Sequence, residues 1–493
     1  MKDFKERTLR AGLVKAIAQG VNFIIRVGSL MVLARLLDPE DFGLVGMVTV
    51  IMGVFSMFLD AGLAIVTVQR ATITNEQVST LFWSNMFVGA ILWLLSFGAA
   101  PILASFYHEP RLFWITVAVA TGILISAAGV QHSALLQRGM RFGALSVAAI
   151  LAQVLSGAVG IGMALGGFGY WALVGMAIMA QATNVVCLWL TMNWVPGLPR
   201  RGVGVVTMIR FGGMATLNTL IVYVACNIDK ILLGRFWGAE ALGIYGRAYQ
   251  LINIPTENLN SAIGGVAFSA LSRLHDDASR FKRYFLNYYS LVISLTLPIT
   301  IACALFADDI ILLLLGPKWK DAVPIFRLLV PTILAFALVN PFSPFLMSLG
   351  MVGRSLKIAF VLTPVMIAAY FLGLPYGPNG VAFAYSAAMT LSVIPLIAGC
   401  IHGTMVSLRD FLPVVGRPIL SAIVAAALAF AVQLLCGQSL SPLLRLILGG
   451  GILLLSYLWM LFYVMGQKAF YLDLLRGLKK RSSGGEIESV AVL

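Results

Sequence analysis

The chain has 493 residues, 60% of them hydrophobic and only 11% charged, with 34 Lys and Arg against 20 Asp and Glu for a net charge of +14. A soluble chain keeps about a quarter of its residues charged to solvate its surface, so a mean hydropathy of +0.94 excludes a large soluble domain. The basic residues sit in short clusters between apolar runs, which excludes a nucleic-acid interface, and five cysteines and four histidines, all scattered singly, exclude a disulfide framework or metal site.

A membrane span needs about 20 mainly apolar residues. The chain opens basic at Lys2, Lys5, Arg7, Arg10 and Lys15 and then turns apolar. That apolar stretch carries Gln19, Asn22 and Arg26 and has no small-residue cleavage site, so it reads as a retained first helix rather than a signal peptide. The hydropathy pattern predicts fourteen transmembrane helices, an all-α polytopic membrane protein. They fall at 14–36, 42–66, 78–104, 112–136, 144–166, 170–194, 207–234, 240–268, 284–305, 322–348, 356–373, 379–402, 413–435 and 442–466. Lys and Arg alternate with the loops in roughly fourfold excess on the side of the N-terminus, as the positive-inside rule requires. The expected location is the bacterial inner membrane with both chain ends cytoplasmic.

Leu33-Ala-Arg-Leu-Leu-Asp-Pro-Glu-Asp-Phe-Gly-Leu-Val-Gly46 aligns with Leu233-Gly-Arg-Phe-Trp-Gly-Ala-Glu-Ala-Leu-Gly-Ile-Tyr-Gly246 at a constant offset of 200. Both copies join the first two helices of a half, so the chain reads as a duplication. The expected organisation is a six-helix bundle over 1–195, a cytoplasmic linker at 196–206 and a second six-helix bundle over 207–403. Two extra helices follow at 404–467, then a basic tail at 468–493. Two homologous bundles with a substrate between them are the usual architecture of an alternating-access transporter.

The phosphate loop G-x-x-x-x-G-K-[ST], the zinc motif H-E-x-x-H and the nucleophile elbow G-x-S-x-G do not occur in the sequence, so the chain is not read as an enzyme. What remains is polarity within the spans, where charge is costly and marks a cavity or a partner. Arg26, Asn22, Lys230, Arg247, Asn218, Asn227 and Asn85 are the candidate substrate-binding residues. Asp60, Asp229 and Glu257 are the candidates for a coupling proton or sodium ion; no other cofactor is expected. Each also has a structural reading: Asp229 and Lys230 lie near a helix end and can snorkel to the interface, and Arg247 and Glu257 flank the kink-forming Pro255. Prolines 255, 298, 331, 341, 344, 364 and 395 fall mid-helix in the second half, whereas in the first half they gather at helix ends.

The residues also resemble a known family. Leu33 to Leu44, Asp60-Ala-Gly-Leu-Ala, Val68-Gln-Arg70 and Thr80-Leu-Phe-Trp-Ser-Asn85 are similar to bacterial polysaccharide-export flippases. So are Arg210-Phe-Gly-Gly, Asn227-Ile-Asp-Lys-Ile-Leu-Leu-Gly-Arg235, Gly243 to Leu251 and Gly316-Pro-Lys-Trp319. The resemblance is to the colanic acid exporter-like branch of the multidrug/oligosaccharidyl-lipid/polysaccharide exporter superfamily, over about residues 8–400. It implies two six-helix bundles plus two C-terminal helices. The implied substrate is an undecaprenyl-diphosphate-linked oligosaccharide moved from the cytoplasmic to the periplasmic leaflet, and the implied partners are membrane lipids, a polysaccharide polymerase and export machinery. Cationic residues such as Arg26, Lys230 and Arg247 would meet the diphosphate; Glu257 departs from the pattern. The alternatives are a multidrug extruder, a lipid II flippase and, from another class, a membrane glycosyltransferase or polymerase.

Overall fold

The computed structural model describes residues 2–60, 73–199, 227–274, 277–436 and 441–466, with isolated positions at 64, 67, 68, 70, 220, 223, 224 and 471. Side chains of 2–18, 60, 258–263, 266, 352 and 436 are outside the description. The protein is all-helical there, and ten helices are long and apolar enough to cross a membrane, or eleven with one bent pair. The stretch Gly353–Ile401 holds two helices with a tight turn between them. Of the other expected spans, 207–234 lies mainly outside the described residues and 240–268 forms a helix too polar to meet the criterion.

The first compact unit covers Met1–Gly246 together with Leu314–Trp319. It contains α1 (Lys2–Leu36), α2 (Pro39–Asp60), α3 (Asn75–Tyr107), α4 (Leu112–Ala127), α5 (Val130–Arg138), α6 (Phe142–Leu165) and α7 (Tyr170–Thr191). α3 starts on a capping box in which Thr74 accepts from the Gln77 amide and Gln77 accepts from the Thr74 amide, satisfying donors that a helix start leaves open. Small residues set the close packing expected between helices in lipid: Ser29 of α1 meets Gly157 of α6, and Ala127 of α4 meets Gly89 of α3. The predicted helix 112–136 is broken, α4 and α5 meeting at 41° around Gly129. Pro101 lies inside α3 rather than at its end, because the helix continues to Tyr107.

The next helix, α8 (Ile228–Leu271), is two helices joined at Gly238, whose φ of 82° and ψ of −176° suit only glycine. Its first part, up to Gly246, belongs to the first unit. The second unit covers Arg247–Leu313 and Lys320–Leu493. It contains α9 (Ala278–Leu305), α10 (Ala307–Leu314), α11 (Ala322–Val339), α12 (Phe342–Ser348), α13 (Val352–Gly373), α14 (Gly377–Ile401), α15 (Leu408–Cys436) and α16 (Pro442–Trp459). α9 is its spine and packs on α11, α15 and α16. Pro341 separates α11 from α12 instead of kinking one long helix, since it follows the last residue whose amide bonds back into α11. Large apolar side chains remain exposed on the helices, among them Phe87, Leu190, Leu372 and Leu391, as a lipid-facing surface requires.

Candidate functional site

The two repeat segments meet. A Cβ placed on Gly43 would overlap the Ala239 carbonyl, and one placed on Gly243 would overlap the Pro39 carbonyl. Pro39 and Ala239, like Gly43 and Gly243, are separated by the repeat offset of 200, so this is one contact made twice about a local two-fold. Only glycine lets two helix backbones approach this closely. Gly46 continues the seam against Leu242.

A third segment closes on the same place. Gly316, at φ 98°, sets its backbone against the Arg35 side chain. Trp319 is fully buried, donates its indole N–H to the Ala34 carbonyl at 2.7 Å and stands edge-on to Phe42 with ring centroids 5.3 Å apart. The exposed pair Lys318–Asp38 lies at 2.7 Å. Across the α3–α4 turn, Arg111 bridges Glu109 at 2.7 Å and Glu40 at 2.5 Å. Its hydrogen bond and charge hold the Glu109 carboxyl below the usual glutamate range. Arg235 lies over the Phe106 and Phe236 rings and donates to His108 Nδ1 at 3.0 Å. A guanidinium has only donors, so His108 accepts at Nδ1.

Just inside this crossing lies Asp229, fully buried. The turn at Gly238 brings Tyr245 back beside it, and the tyrosine hydroxyl donates to Asp229 Oδ2 at 2.9 Å. Among the described residues, Asp229 Oδ1 has no hydrogen-bond partner. Lys230 is half-buried and donates to Asn227 Oδ1 at 2.7 Å, and Asn227 Nδ2 donates to the Tyr223 carbonyl at 2.8 Å. Tyr223 in turn reaches the Val50 carbonyl of α2 at 3.2 Å.

Of the candidate residues, Asp229, Lys230 and Asn227 therefore share one polar cluster. Asn85 is fully buried in α3, and neither of its side-chain polar atoms has a hydrogen-bond partner among the described residues. Arg26 is exposed on α1 and Asn22, one turn earlier, half-buried. Arg247 is half-buried and bonded to Gln250, whereas Glu257 is exposed. Asn218 and the Asp60 side chain lie outside the described residues. Sequence reasoning missed Tyr245, Glu109, Arg111 and His108. Tyr245 was within reach, because it sits in the second repeat between two aligned glycines. Arg111 and His108 are joined to Glu40 and Arg235 across 71 and 127 residues, which no local pattern signals, and Glu109 enters the cluster only through Arg111.

Comparison with known proteins places these contacts in context. A family profile described as "Polysaccharide biosynthesis protein" matches residues 32–324, a stretch that contains Ala34, both glycines of the crossing, Asp229, Tyr245 and Trp319. The chain is 30% identical to the Teichuronic acid biosynthesis protein TuaB of Bacillus subtilis (strain 168) over 59% of its own length. That match spans 61% of the Bacillus protein. It is 26% identical to the Lipopolysaccharide biosynthesis protein WzxC of Escherichia coli (strain K12) over 75% of each chain. It is 24% identical to the Succinoglycan biosynthesis transport protein ExoT of Rhizobium meliloti (strain 1021) over 67% of each. In fold it is similar to the Lipid II flippase MurJ, with a TM-score of 0.76 at 13% identity over 94% of this chain and 100% of that one. It is also similar to an inward-facing multidrug resistance MATE family transporter, with a TM-score of 0.61 at 14% identity over 77% and 94%.

Proposed function

We infer, from the premise that this chain belongs to the family of polysaccharide biosynthesis proteins, that it is a flippase for a lipid-linked oligosaccharide. Its repeat unit would be carried on undecaprenyl diphosphate from the cytoplasmic to the periplasmic leaflet of the inner membrane, with both chain ends in the cytoplasm. The observation that carries this reading is the two-fold crossing of Gly43 and Gly243. Two duplicated segments that close on each other at one end are what an alternating-access carrier needs, since parting there opens one side and leaves the other to close. The names of the relatives supply the class of cargo: a teichuronic acid, a lipopolysaccharide and a succinoglycan biosynthesis protein, the last a transport protein.

In this mechanism the diphosphate is recognised by charge-assisted hydrogen bonds from Arg26, Lys230 and Arg247. Asn22, Asn85, Asn218 and Asn227 offer neutral donors and acceptors for sugar hydroxyls. The expected domain division, a bundle on each side of a linker at 196–206, supplies the two moving bodies. A polymerase and export machinery would take the product onward.

The test is the fate of lipid-linked repeat units in a deletion strain whose glycosyltransferases remain active. Mass spectrometry of extracted lipids is expected to show complete units accumulating, and a wild-type plasmid copy clearing them while Arg26→Ala does not. No accumulation, with surface polysaccharide intact, would overturn the reading in favour of the drug-extruder class that shares the fold. Accumulation of lipid II instead would identify a cell-wall precursor as the cargo.

A further inference from the structure

We propose that Asp229 is the proton-carrying group of this transporter, neutral in the arrangement described above and ionised when the crossing end opens; this deepens the flippase reading and rests on it. The carboxyl is fully buried, and among the described residues its side-chain hydrogen bond comes from Tyr245, to Oδ2, while Oδ1 has no hydrogen-bond partner. A buried carboxylate with an oxygen lacking a hydrogen-bond donor is strongly disfavoured, because nothing replaces its lost hydration. A carboxylic acid that accepts at Oδ2 and carries its proton on Oδ1 avoids most of that cost. The orphan oxygen is therefore where the proton resides.

The groups acting on Asp229 are few. Lys230 contributes its charge from the next position, about 100° round the helix, while its ammonium donates to Asn227; Tyr245 contributes the hydroxyl, and the backbone amides of Asp229 and Lys230 act on the carboxyl as well. Among the described residues no group of three or more His, Cys, Asp and Glu could hold a metal ion. A proton needs only the one lone pair.

The location links proton occupancy to conformation. Tyr245 stands two residues past Gly243, on the helix that makes the crossing, and Gly234, between Asp229 and the Gly238 turn, packs against Tyr107 of α3 and Met47 of α2. Parting the crossing moves both the donor and the wall. In the step itself the Oδ1–H bond breaks, the proton passes to water, and the carboxylate left behind is held by the Tyr245 hydroxyl and the Lys230 charge. Acid therefore favours the arrangement with the crossing closed.

Infrared difference spectra between two pH values, taken on the full chain in liposomes, read the proton directly. The carbonyl band of a protonated carboxyl is expected in the wild type. It should be lost in Asp229→Asn, whose neutral amide keeps the size and fold, and displaced in Tyr245→Phe, which removes its hydrogen bond. In the deletion strain Asp229→Asn is expected to accumulate lipid-linked units as the empty vector does, and Asp229→Glu to clear part of them at equal membrane levels. A band that survives Asp229→Asn overturns the proton assignment whatever the cargo. A band that is lost while Asp229→Asn clears the units as well as the wild type does shows a proton held but not coupled, which also overturns the proposal. Failure of the wild-type copy to clear the units refutes the flippase reading, and the coupling with it, while leaving the spectroscopic result intact.

Discussion

At the scale of single residues, the crossing end shows how much one side chain can tie together. Trp319 fills a buried site with its ring and satisfies the Ala34 carbonyl with its N–H. Trp319→Phe keeps most of the packing but leaves a buried acceptor without a donor, which costs about 1–3 kcal/mol. Thermal unfolding in detergent is expected to show that loss, and Trp319→Ala a larger one of about 3–5 kcal/mol. Glu109 gives a pH dependence of defined sign. Its folded carboxyl titrates below its ordinary range because Arg111 bonds it, so its contribution is present above that range and is lost as pH falls through the folded value. The apparent melting temperature should therefore drop on strong acidification, and Glu109→Gln should flatten that acid limb. Asp229 and Lys230 mark what sequence could not decide. They are neighbours of similar polarity, and only the turn at Gly238, which returns Tyr245 to the carboxyl group, separates a buried acid from a half-buried base.

At the scale of elements, the apolar runs gave the helices, because each must satisfy its own backbone in lipid. The breaks between elements were less legible. Gly129 divides α4 from α5 and Pro341 divides α11 from α12 inside stretches that read as single spans, and hydropathy does not register a backbone bend. The last two helices illustrate the same gap: α15 and α16 fade from the family resemblance yet are anchored on α9 and α10. Tyr457 donates to the Ser294 carbonyl at 3.0 Å, Gly449 receives the Phe306 ring, and Arg445 pairs at 2.9 Å with Asp309, which is only 3% exposed. Removing one partner of such a pair strands the other charge, a cost of about 3–5 kcal/mol. Arg445→Met is expected to lower stability by that order, and adding Asp309→Asn to recover most of it; additive losses in the double variant would show that the pair does not act as a unit.

At the scale of the whole molecule, the duplication was legible as five matching positions at an offset of 200, and it became a physical contact where Gly43 and Gly243 each press on the backbone of the other copy. Gly43→Ala and Gly243→Ala should each lower stability by about 1–3 kcal/mol, the usual penalty for overpacking. The double variant should lose less than the sum, because one displacement of the helices relieves both clashes; the measurement is a double-variant cycle of melting temperatures. Strict additivity would mean that the two contacts are separate. What obstructs a new methyl group at either glycine is a peptide carbonyl, and a carbonyl is common to all twenty amino acids. The lineage consequently has no compensating allele to offer at the facing position. In a genetic selection for suppressors of Gly43→Ala, changes at Ala239 should be missing, and the recovered alleles should be true revertants or distant substitutions that let the helices part.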